Sequence, residues 1–294
     1  MAGKIDLKKQ KILVTGGSGT VGRNVIKQLI NRGAKEIISI SRDENLIKQA
    51  ENEVGSNAKV SFKLGDITDT QLISRLLQDV DMVIHTAAIK HVSLAEQNPR
   101  ETHRINVAGL LNLLDNSSHI KRFIHISSDK AIGVVNCYGA SKLLGEYLVR
   151  ETNSLYPGNK YLIIRCPNIL GSRGSVLDMW KSQLKKSNLI KITDPEMTRY
   201  FITPAEAAKF IVDVATMSNP DPGNIYYPLK LTHKFLLKDL AEVFISLFGK
   251  NSKLEIMGAL PGEKKHEDYI EDVKLSSQNE LKKLVQTIFS NGKK

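Results

Sequence analysis

At 294 residues, 41% hydrophobic and 25% charged, the chain has the make-up of a globular protein of one or two domains with a sizeable core. No apolar run reaches the length of a membrane span, and Met1–Asp6 lacks the apolar stretch of a signal peptide, which predicts a cytoplasmic protein with no membrane association. The net charge of +11 comes from scattered lysines and arginines, densest at Lys8-Lys9-Gln10-Lys11, Lys282-Lys283 and Lys293-Lys294. There is no basic stripe interleaved with aromatics, so anionic nucleotide ligands are favoured over nucleic acid. Cys137 and Cys166 make no disulfide framework and suit a reducing compartment. No His-x-x-x-His spacing occurs, and no metal site is expected.

Lys11–Thr15 reads as a buried strand. Gly16-Gly17-Ser18-Gly19-Thr20-Val21-Gly22 follows, then a helix to about Arg32 with Gly33 as its stop. Glycines in a strand–turn–helix setting permit a tight turn and a close approach of backbone to a pyrophosphate. The helix N-terminus then offers N–H groups and a positive dipole end. Glu36–Ser41 is the second strand. Its end, Ser41-Arg42-Asp43, carries no acid first, so Ser41 and Arg42 point to the 2′-phosphate of NADP; Asp43 suits a helix cap.

A helix is expected over Glu44–Val54, a strand over Val60–Leu64, and a helix over Thr70–Gln78. The third strand ends in Gly65-Asp66-Ile67, where Asp66 is positioned for an adenine amine and Ile67 for the cofactor's surroundings. Met82–His85 is the fourth strand; the small residues Ala87 and Ala88 after it let the chain pass close to the cofactor. Ile89-Lys90-His91-Val92 leads to a long helix through Asn106 to about Asn116. Lys90 and Asn106 join the cofactor set. Strands over Arg122–Ser127 and Tyr161–Arg165 complete a βα alternation, which means a doubly wound parallel sheet of Rossmann type over residues 1–165. Beyond Arg165 come short helices, isolated strands and Pro-rich turns. Residues 166–294 are expected to be mainly a smaller substrate-binding domain, with 201–217 returning to the sheet and a basic tail at the end.

The chemistry centres on Ser127-Ser128-Asp129-Lys130 and Tyr138-Gly139-Ala140-Ser141-Lys142. Tyr-x-x-x-Lys on a helix puts phenol and ammonium one turn apart on one face, and a nearby cation favours the phenolate. Tyr138 is thus a candidate base, and Asp129 and Lys130 add an acid and an amine. The group lies at the carboxyl end of the fifth strand, where open α/β sheets bind ligands.

Thr15-Gly16-Gly17-x-Gly19-x-x-Gly22 with Tyr138-x-x-x-Lys142 resembles the extended short-chain dehydrogenase/reductases. A narrower likeness rests on Ala87-Ala88-Ile89-Lys90-His91-Val92, Ser128-Asp129-Lys130-Ala131, Asn136-x-Tyr138-Gly139-Ala140-Ser141-Lys142, Gly171-Ser172-Arg173-Gly174-Ser175-Val176, Thr193-Asp194-Pro195-Glu196-Met197-Thr198-Arg199 and Pro261-Gly262-Glu263-Lys264. In this order they resemble the polysaccharide-biosynthesis branch, especially its C5-inverting UDP-N-acetylglucosamine 4,6-dehydratases. That resemblance implies NADP, a UDP-sugar substrate and a homo-oligomer. It implies that Tyr138 takes the 4-hydroxyl proton during oxidation at C4. Lys130 removes the C5 proton, provided burial lowers its pKa, and Asp129 protonates the departing 6-hydroxyl. Ser128 bonds the 4-oxygen, and Lys142 holds Tyr138 and the nicotinamide ribose. Lys90, Asn168, Arg173, Met197, Arg199 and Glu263 are the implied substrate contacts.

The sequence departs from the family at Gly133-Val134-Val135, at Cys166-Pro167, and at Leu260, which stands where an Arg usually makes a diphosphate contact. Relatives with an N-terminal membrane region exist; none is expected here. The competing activity is a UDP-hexose C4 epimerase on the same fold, which needs no general acid at C6. A non-catalytic, cofactor-sensing regulator is disfavoured by the intact Tyr138/Lys142 pair.

Overall fold

Seven parallel strands form the backbone of the computed structural model, which describes residues 3–55, 57–249 and 252–290. The start at Met1-Ala2 and the tail pair Lys293-Lys294 lie outside the described residues. The first part of the chain runs β1 (Lys11–Thr15), α1 (Thr20–Asn31), β2 (Glu36–Ser41), α2 (Glu44–Val54), β3 (Val60–Leu64), α3 (Thr70–Leu77) and β4 (Met82–His85). It continues with α4 (Val92–Gln97), α5 (Pro99–His103), a π-helical turn at Arg104–Ala108, α6 (Gly109–Asp115), β5 (Arg122–Ser128), α7 (Cys137–Leu155) and β6 (Lys160–Cys166). The second part holds β7 (Asn168–Ile169), α8 (Val176–Ser187), β8 (Leu189–Ile192), β9 (Thr198–Ile202), α9 (Pro204–Ala215), β10 (Ile225–Tyr226), β11 (His233–Leu236), α10 (Leu237–Phe248), β12 (Lys253–Ile256) and α11 (Gln278–Ser290).

The large sheet has the order β10-β6-β5-β4-β1-β2-β3. Its central strands are buried nearly end to end because helices cover both faces, which explains their runs of Ile, Val and Leu. One face packs Ile12, Val14, Ile84 and Leu162 against Val25 and Ile26 of α1 and Ile211 and Val212 of α9. The other packs Leu13, Val83 and Phe123 against Leu110 of α6 and Val149 of α7. Strand order reverses between β1 and β4, which opens the ligand crevice at their carboxyl ends.

Two departures from the expected elements have local causes. The single long helix before Asn116 is cut at Asn98-Pro99, where the proline opens α5, and widens into the π turn that carries Asn106. Within 201–217, Phe201 and Ile202 belong to β9, while α9 lies on the large sheet against α1. Thr203-Pro204-Ala205-Glu206 starts α9 with a full capping box and Pro at the first turn. Strand β10 then joins the sheet edge beside β6, an addition that two residues of strand give no pattern to foresee.

The second lobe has its own core, in which Trp180, Phe235, Phe244 and Leu281 are essentially inaccessible and Phe201 stacks on Phe235 at 4.3 Å. Strand β9 pairs with β11 and β7, and β8 pairs with β12. The segment after β12, residues 258–276, runs back as a strap toward α7: Asn136 Nδ2 donates to Gly262 O (2.9 Å) and Lys264 Nζ to Ile132 O (2.9 Å). No helix among the described residues is long and apolar enough to cross a membrane.

Candidate active site

The carboxyl edge of the sheet gathers the glycine loop from β1, Thr86–Ala88 from β4 and Ser128–Lys130 from β5. Gly16 has φ +69°, and a Cβ there would lie 2.8 Å from Ala87 N; a Cβ on Gly22 would lie 2.4 Å from Gly16 O. Only glycine permits this crossing. Ser18 N donates to Ser41 Oγ at 3.2 Å, which ties the loop to the end of β2. Helix α1 starts at Gly19 with no side-chain cap, so Thr20, Val21 and Gly22 open a helix N-terminus suited to an anion. A cradle of this shape fits a dinucleotide's pyrophosphate.

At the far end of the crevice, Arg42 is half-exposed and lies 3.6 Å from Asp66 and 3.5 Å from Glu101. Asp66 also accepts from Thr68 N (2.9 Å) and Thr68 Oγ1 (3.0 Å) and pairs with Arg104 at 3.3 Å. Burial opposes these bonds, but together they hold its carboxyl below the usual range. Its acceptor atoms are therefore engaged, whereas the sequence reading gave it to an adenine amine. Ile67 is buried, and its carbonyl accepts from Asn112 Nδ2 at 2.7 Å. Asn106 is a brace: Oδ1 accepts from Ile89 N (2.8 Å), while Nδ2 donates to Ile89 O (3.0 Å) and Ser141 Oγ (3.0 Å). It fixes the 87–90 loop against the Tyr138 helix. Lys90 reaches across to Arg173 O (2.8 Å) and Ser172 Oγ (3.4 Å), and Arg173 N donates to Thr20 Oγ1 (3.3 Å). The loop 171–175 thus sits against the glycine loop.

Helix α7 is capped by Asn136, whose side chain accepts from Gly139 N at 2.7 Å, and it presents Tyr138 and Lys142 to the end of β5. Ser128, Asp129, Lys130, Tyr138 and Asn168 come together there. Ser128 Oγ donates to Asp129 Oδ1 (2.8 Å); Lys130 Nζ donates to Asp129 Oδ1 (3.2 Å) and Asn168 Oδ1 (3.0 Å). Asn168 Nδ2 donates to Tyr200 O at 2.9 Å, which binds the site to the second lobe.

Two electrostatic expectations are corrected. Lys142 donates to Ile126 O at 2.8 Å, and burial lowers its pKa to about 8 against the opposing pull of Glu146 and Cys166. Tyr138 is pushed up by burial, and the cation that opposes this is Lys130, with help from the Ser128 hydroxyl. Lys130 was to be made a base by burial. Burial does pull its pKa down, but Asp129, Glu267 and Tyr138 outweigh it and hold it raised, so the resting amine is an ammonium.

Three predicted substrate contacts are engaged by the second lobe and the strap. Met197 is 1% exposed in the second core, and its Sδ accepts from Thr193 Oγ1 and Arg199 Nη2, which makes it a packing residue. Arg199 donates through Nη1 to Thr198 O (2.9 Å) and Lys265 O (3.1 Å) and fixes the strap. Glu263 closes its own turn by accepting from Leu260 N at 3.3 Å.

Two buried carboxylates of the site were missed. Glu267 is buried on the strap, 3.4 Å from Lys130; its signal was weak, a charged run just after Pro261-Gly262-Glu263-Lys264. Glu146 is fully buried, accepts from Ser127 Oγ (2.5 Å), and pairs with Arg165 through Nε (2.7 Å) and Nη2 (2.6 Å). Its spacing, four residues after Lys142 and eight after Tyr138, places it on the same helix face and could have revealed it.

The model of the family described as polysaccharide biosynthesis protein matches residues 12–288. The chain belongs to this family. It is 36% identical over 267 residues to the UDP-N-acetylglucosamine 4,6-dehydratase (inverting) of Campylobacter jejuni, covering 88% of this chain and 77% of the relative. It is 31% identical to the capsular polysaccharide biosynthesis protein CapD of Staphylococcus aureus, covering 95% of this chain but 48% of that protein, so it spans about half of CapD's length. A UDP-glucose 4-epimerase of Rickettsia conorii is 28% identical over 92% of this chain and 80% of the relative. Among solved structures, Pen from Bacillus thuringiensis superposes with a TM-score of 0.89 at 27% identity, covering 96% of this chain and all (100%) of Pen. The dTDP-glucose 4,6-dehydratase DesIV from Streptomyces venezuelae, solved with NAD, gives 0.82 at 20% identity over 96% and 97% of the two chains, a likeness of fold. The extended short-chain dehydrogenase/reductase architecture and the polysaccharide-biosynthesis branch read from the motifs are those of this family.

Proposed function

We propose that the protein is a nucleotide-sugar dehydratase of polysaccharide or glycan biosynthesis. Its substrate is UDP-N-acetylglucosamine and its product a UDP-2-acetamido-2,6-dideoxy-4-keto-hexose, formed by internal hydride transfer from C4 to C6, loss of water and inversion at C5. One observation carries this reading: Asp129 and Lys130, an acid and an amine, are hydrogen-bonded to each other and face Tyr138 at the end of β5. Oxidation at C4 alone has no use for that pair; elimination of water across C5 and C6 needs both.

NADP would be held by Gly16–Gly22 at its pyrophosphate, by Ser41 and Arg42 at the 2′-phosphate, and by Lys142 at the nicotinamide ribose, beside Ala87 and Ala88. When bound it supplies a reversible hydride acceptor. Tyr138 takes the proton of the sugar 4-hydroxyl, and the Lys130 ammonium that faces it favours the phenolate this requires. Ser128 bonds the 4-oxygen. The 4-ketone acidifies the C5 hydrogen; Lys130, once it has given up its own extra proton, takes the C5 proton, and Asp129, entering the step protonated, gives its proton to the departing 6-hydroxyl. Lys90 and Arg173, joined across the crevice, are suited to the UDP diphosphate, and Asn168 to the sugar.

The similarity to a UDP-glucose 4-epimerase keeps C4 epimerisation as the second reading. Incubation with UDP-N-acetylglucosamine and catalytic NADP separates the two. The dehydratase yields a product lighter by one water, with a 6-methyl group in its NMR spectrum and no net reduced cofactor. A product of unchanged mass assigns the epimerase, and stoichiometric reduced cofactor assigns a simple dehydrogenase.

A further inference from the structure

The Lys130 ammonium has three acceptors in reach: it donates to Asn168 Oδ1 at 3.0 Å and Asp129 Oδ1 at 3.2 Å, and it forms an ion pair with Glu267 Oε1 at 3.4 Å. A lysine so engaged has no electron pair to offer a C–H bond. The three acceptors are not equivalent. Asn168 is neutral. Asp129 already accepts from the Ser128 hydroxyl at 2.8 Å and faces the Asn168 amide at 3.5 Å, and in the dehydratase reading it is the acid that delivers a proton to the 6-hydroxyl, so it is not free to take another. Glu267 comes from the strap, its side chain is 5% exposed, and among the described residues it pairs with two cations: Lys130, and Arg199 Nε at 3.9 Å. Arg199 is tied to the carbonyls of Thr198 and Lys265, so it holds the Glu267 carboxylate aimed at Lys130. Tyr138 completes the titratable groups facing the ammonium.

We propose that Glu267 is a positioning residue that accepts a proton from Lys130 and thereby turns the ammonium into the amine required at C5. The proposal rests on the dehydratase reading above. In the step, one Nζ–H bond, turned toward Glu267 by rotation about Cε–Nζ, breaks and an Oε1–H bond forms; no electrons change owner. The freed pair on Nζ, turned about the Cε–Nζ bond, then takes the C5 proton of the 4-keto sugar, and the C–H electrons pass into the enolate. Substrate supplies the trigger. The Lys130 side chain is 14% exposed, and a seated sugar covers that remainder. Two charges in a dry site are costly, and the transfer removes both.

The test is the pH dependence of C5 deuterium incorporation from solvent by wild type, Glu267→Gln and Glu267→Asp. The wild type makes its base internally and gives a flat profile from about pH 6 to 9. Glu267→Gln has to release the Lys130 proton to solvent, so its rate falls about 10²–10⁴-fold at neutral pH and climbs about tenfold per pH unit. Transient reduction of the cofactor on mixing with substrate is retained, which shows a folded enzyme still competent in oxidation. Glu267→Asp keeps a flat profile at a lower plateau. A Glu267→Gln profile parallel to the wild type overturns the proposal. If that variant does not fold, Glu267→Asp decides: a flat, lowered plateau supports it, and an unchanged plateau or a rising profile overturns it. A wild type that releases no water from UDP-N-acetylglucosamine overturns the dehydratase reading, and the proposal with it, before either variant is compared.

Discussion

Arg165 and Lys130 both meet carboxylates at the carboxyl ends of neighbouring strands, and the two clusters are built in opposite ways. Arg165 grips Glu146 with two hydrogen bonds of 2.7 and 2.6 Å, Ser127 adds a third at 2.5 Å, and Arg165 Nη1 donates to Tyr227 OH at 2.8 Å. Glu146 is wholly inaccessible, and this is the short, bidentate, charge-assisted geometry of a pair that stays paired. Lys130 spreads one charge over three acceptors at 3.0–3.4 Å, drawn from the turn after β5, from β7 and from the strap, and its side chain is 14% exposed. Bonds this long and shared are easily reassigned when a substrate arrives. Burial alone therefore does not separate a structural ion cluster from a reactive one; the number of competing partners and their distances do.

The strongest way to break this comparison is to remove one group from each cluster. Tyr138→Phe takes away a hydroxyl that faces Lys130 and leaves the packed ring. Turnover should fall about 10²–10⁴-fold, with no reduced cofactor even transiently, while the unfolding midpoint barely moves. Glu146→Ala strands the half-buried Arg165 guanidinium and should cost roughly 3 kcal/mol of stability, read by urea denaturation. If Glu146→Ala proves as stable as the wild type, the short pair is not structural and the distinction between the clusters fails.

Much of this was legible in the residues. Strand–glycine–helix at Lys11–Asn31 located the cradle, because glycine spacing and apolar runs are local signals. Ser128–Lys130 and Tyr138–Lys142 were placed together because parallel strands deliver their ends to one edge. How firmly the Lys130 charge is held was only half legible: Asp129 stands beside it in sequence, but Glu267, the second carboxylate that holds it, lies more than a hundred residues away and reaches the site only through the strap. Met197 and Arg199 matched a motif whose residues turn out to pack a core and pin that strap. A motif reports that residues belong together, not which of them faces the cleft.

Lys142 sharpens the comparison from between the clusters. It is 4% exposed, bonded to Ile126 O, and lowered by burial to about 8, where an unfolded lysine titrates near 10.5. Below about pH 8 both states hold the proton and the penalty is fully present. Between about 8 and 10.5 the unfolded chain binds more protons than the folded one, so this group makes stability rise with pH. The penalty is roughly 3 kcal/mol at neutral pH. Lys142→Met should therefore raise stability by ~2 kcal/mol at pH 7, after the loss of about 1 kcal/mol for the bond to Ile126, and should flatten the alkaline rise. Denaturation at several pH values reads both. A variant that keeps the alkaline rise would assign it to another group.

The smallest expected effect lies at the outer end of the crevice, in a third kind of cluster. Arg42 is half-exposed and sits 3.5–3.6 Å from two carboxylates, Asp66 and Glu101, a solvated arrangement in which each pair contributes little to stability. An incoming 2′-phosphate carries more charge than either carboxylate and offers a guanidinium paired, bidentate hydrogen bonds, so it competes for Arg42 without a large cost. Arg42→Asp should weaken NADP binding about tenfold, or ~1.4 kcal/mol, leave NAD binding within a few-fold, and barely alter unfolding. Because the contact is exposed, the NADP preference should also shrink as salt is raised from 50 to 500 mM, by the order of magnitude expected from screening. Titration of both cofactors against wild type and variant by intrinsic fluorescence supplies the measurement. Tighter NAD than NADP binding by the wild type would show that Asp66 and Glu101 keep Arg42 for themselves, and the outer cluster would then resemble the Glu146 pair rather than the Lys130 one.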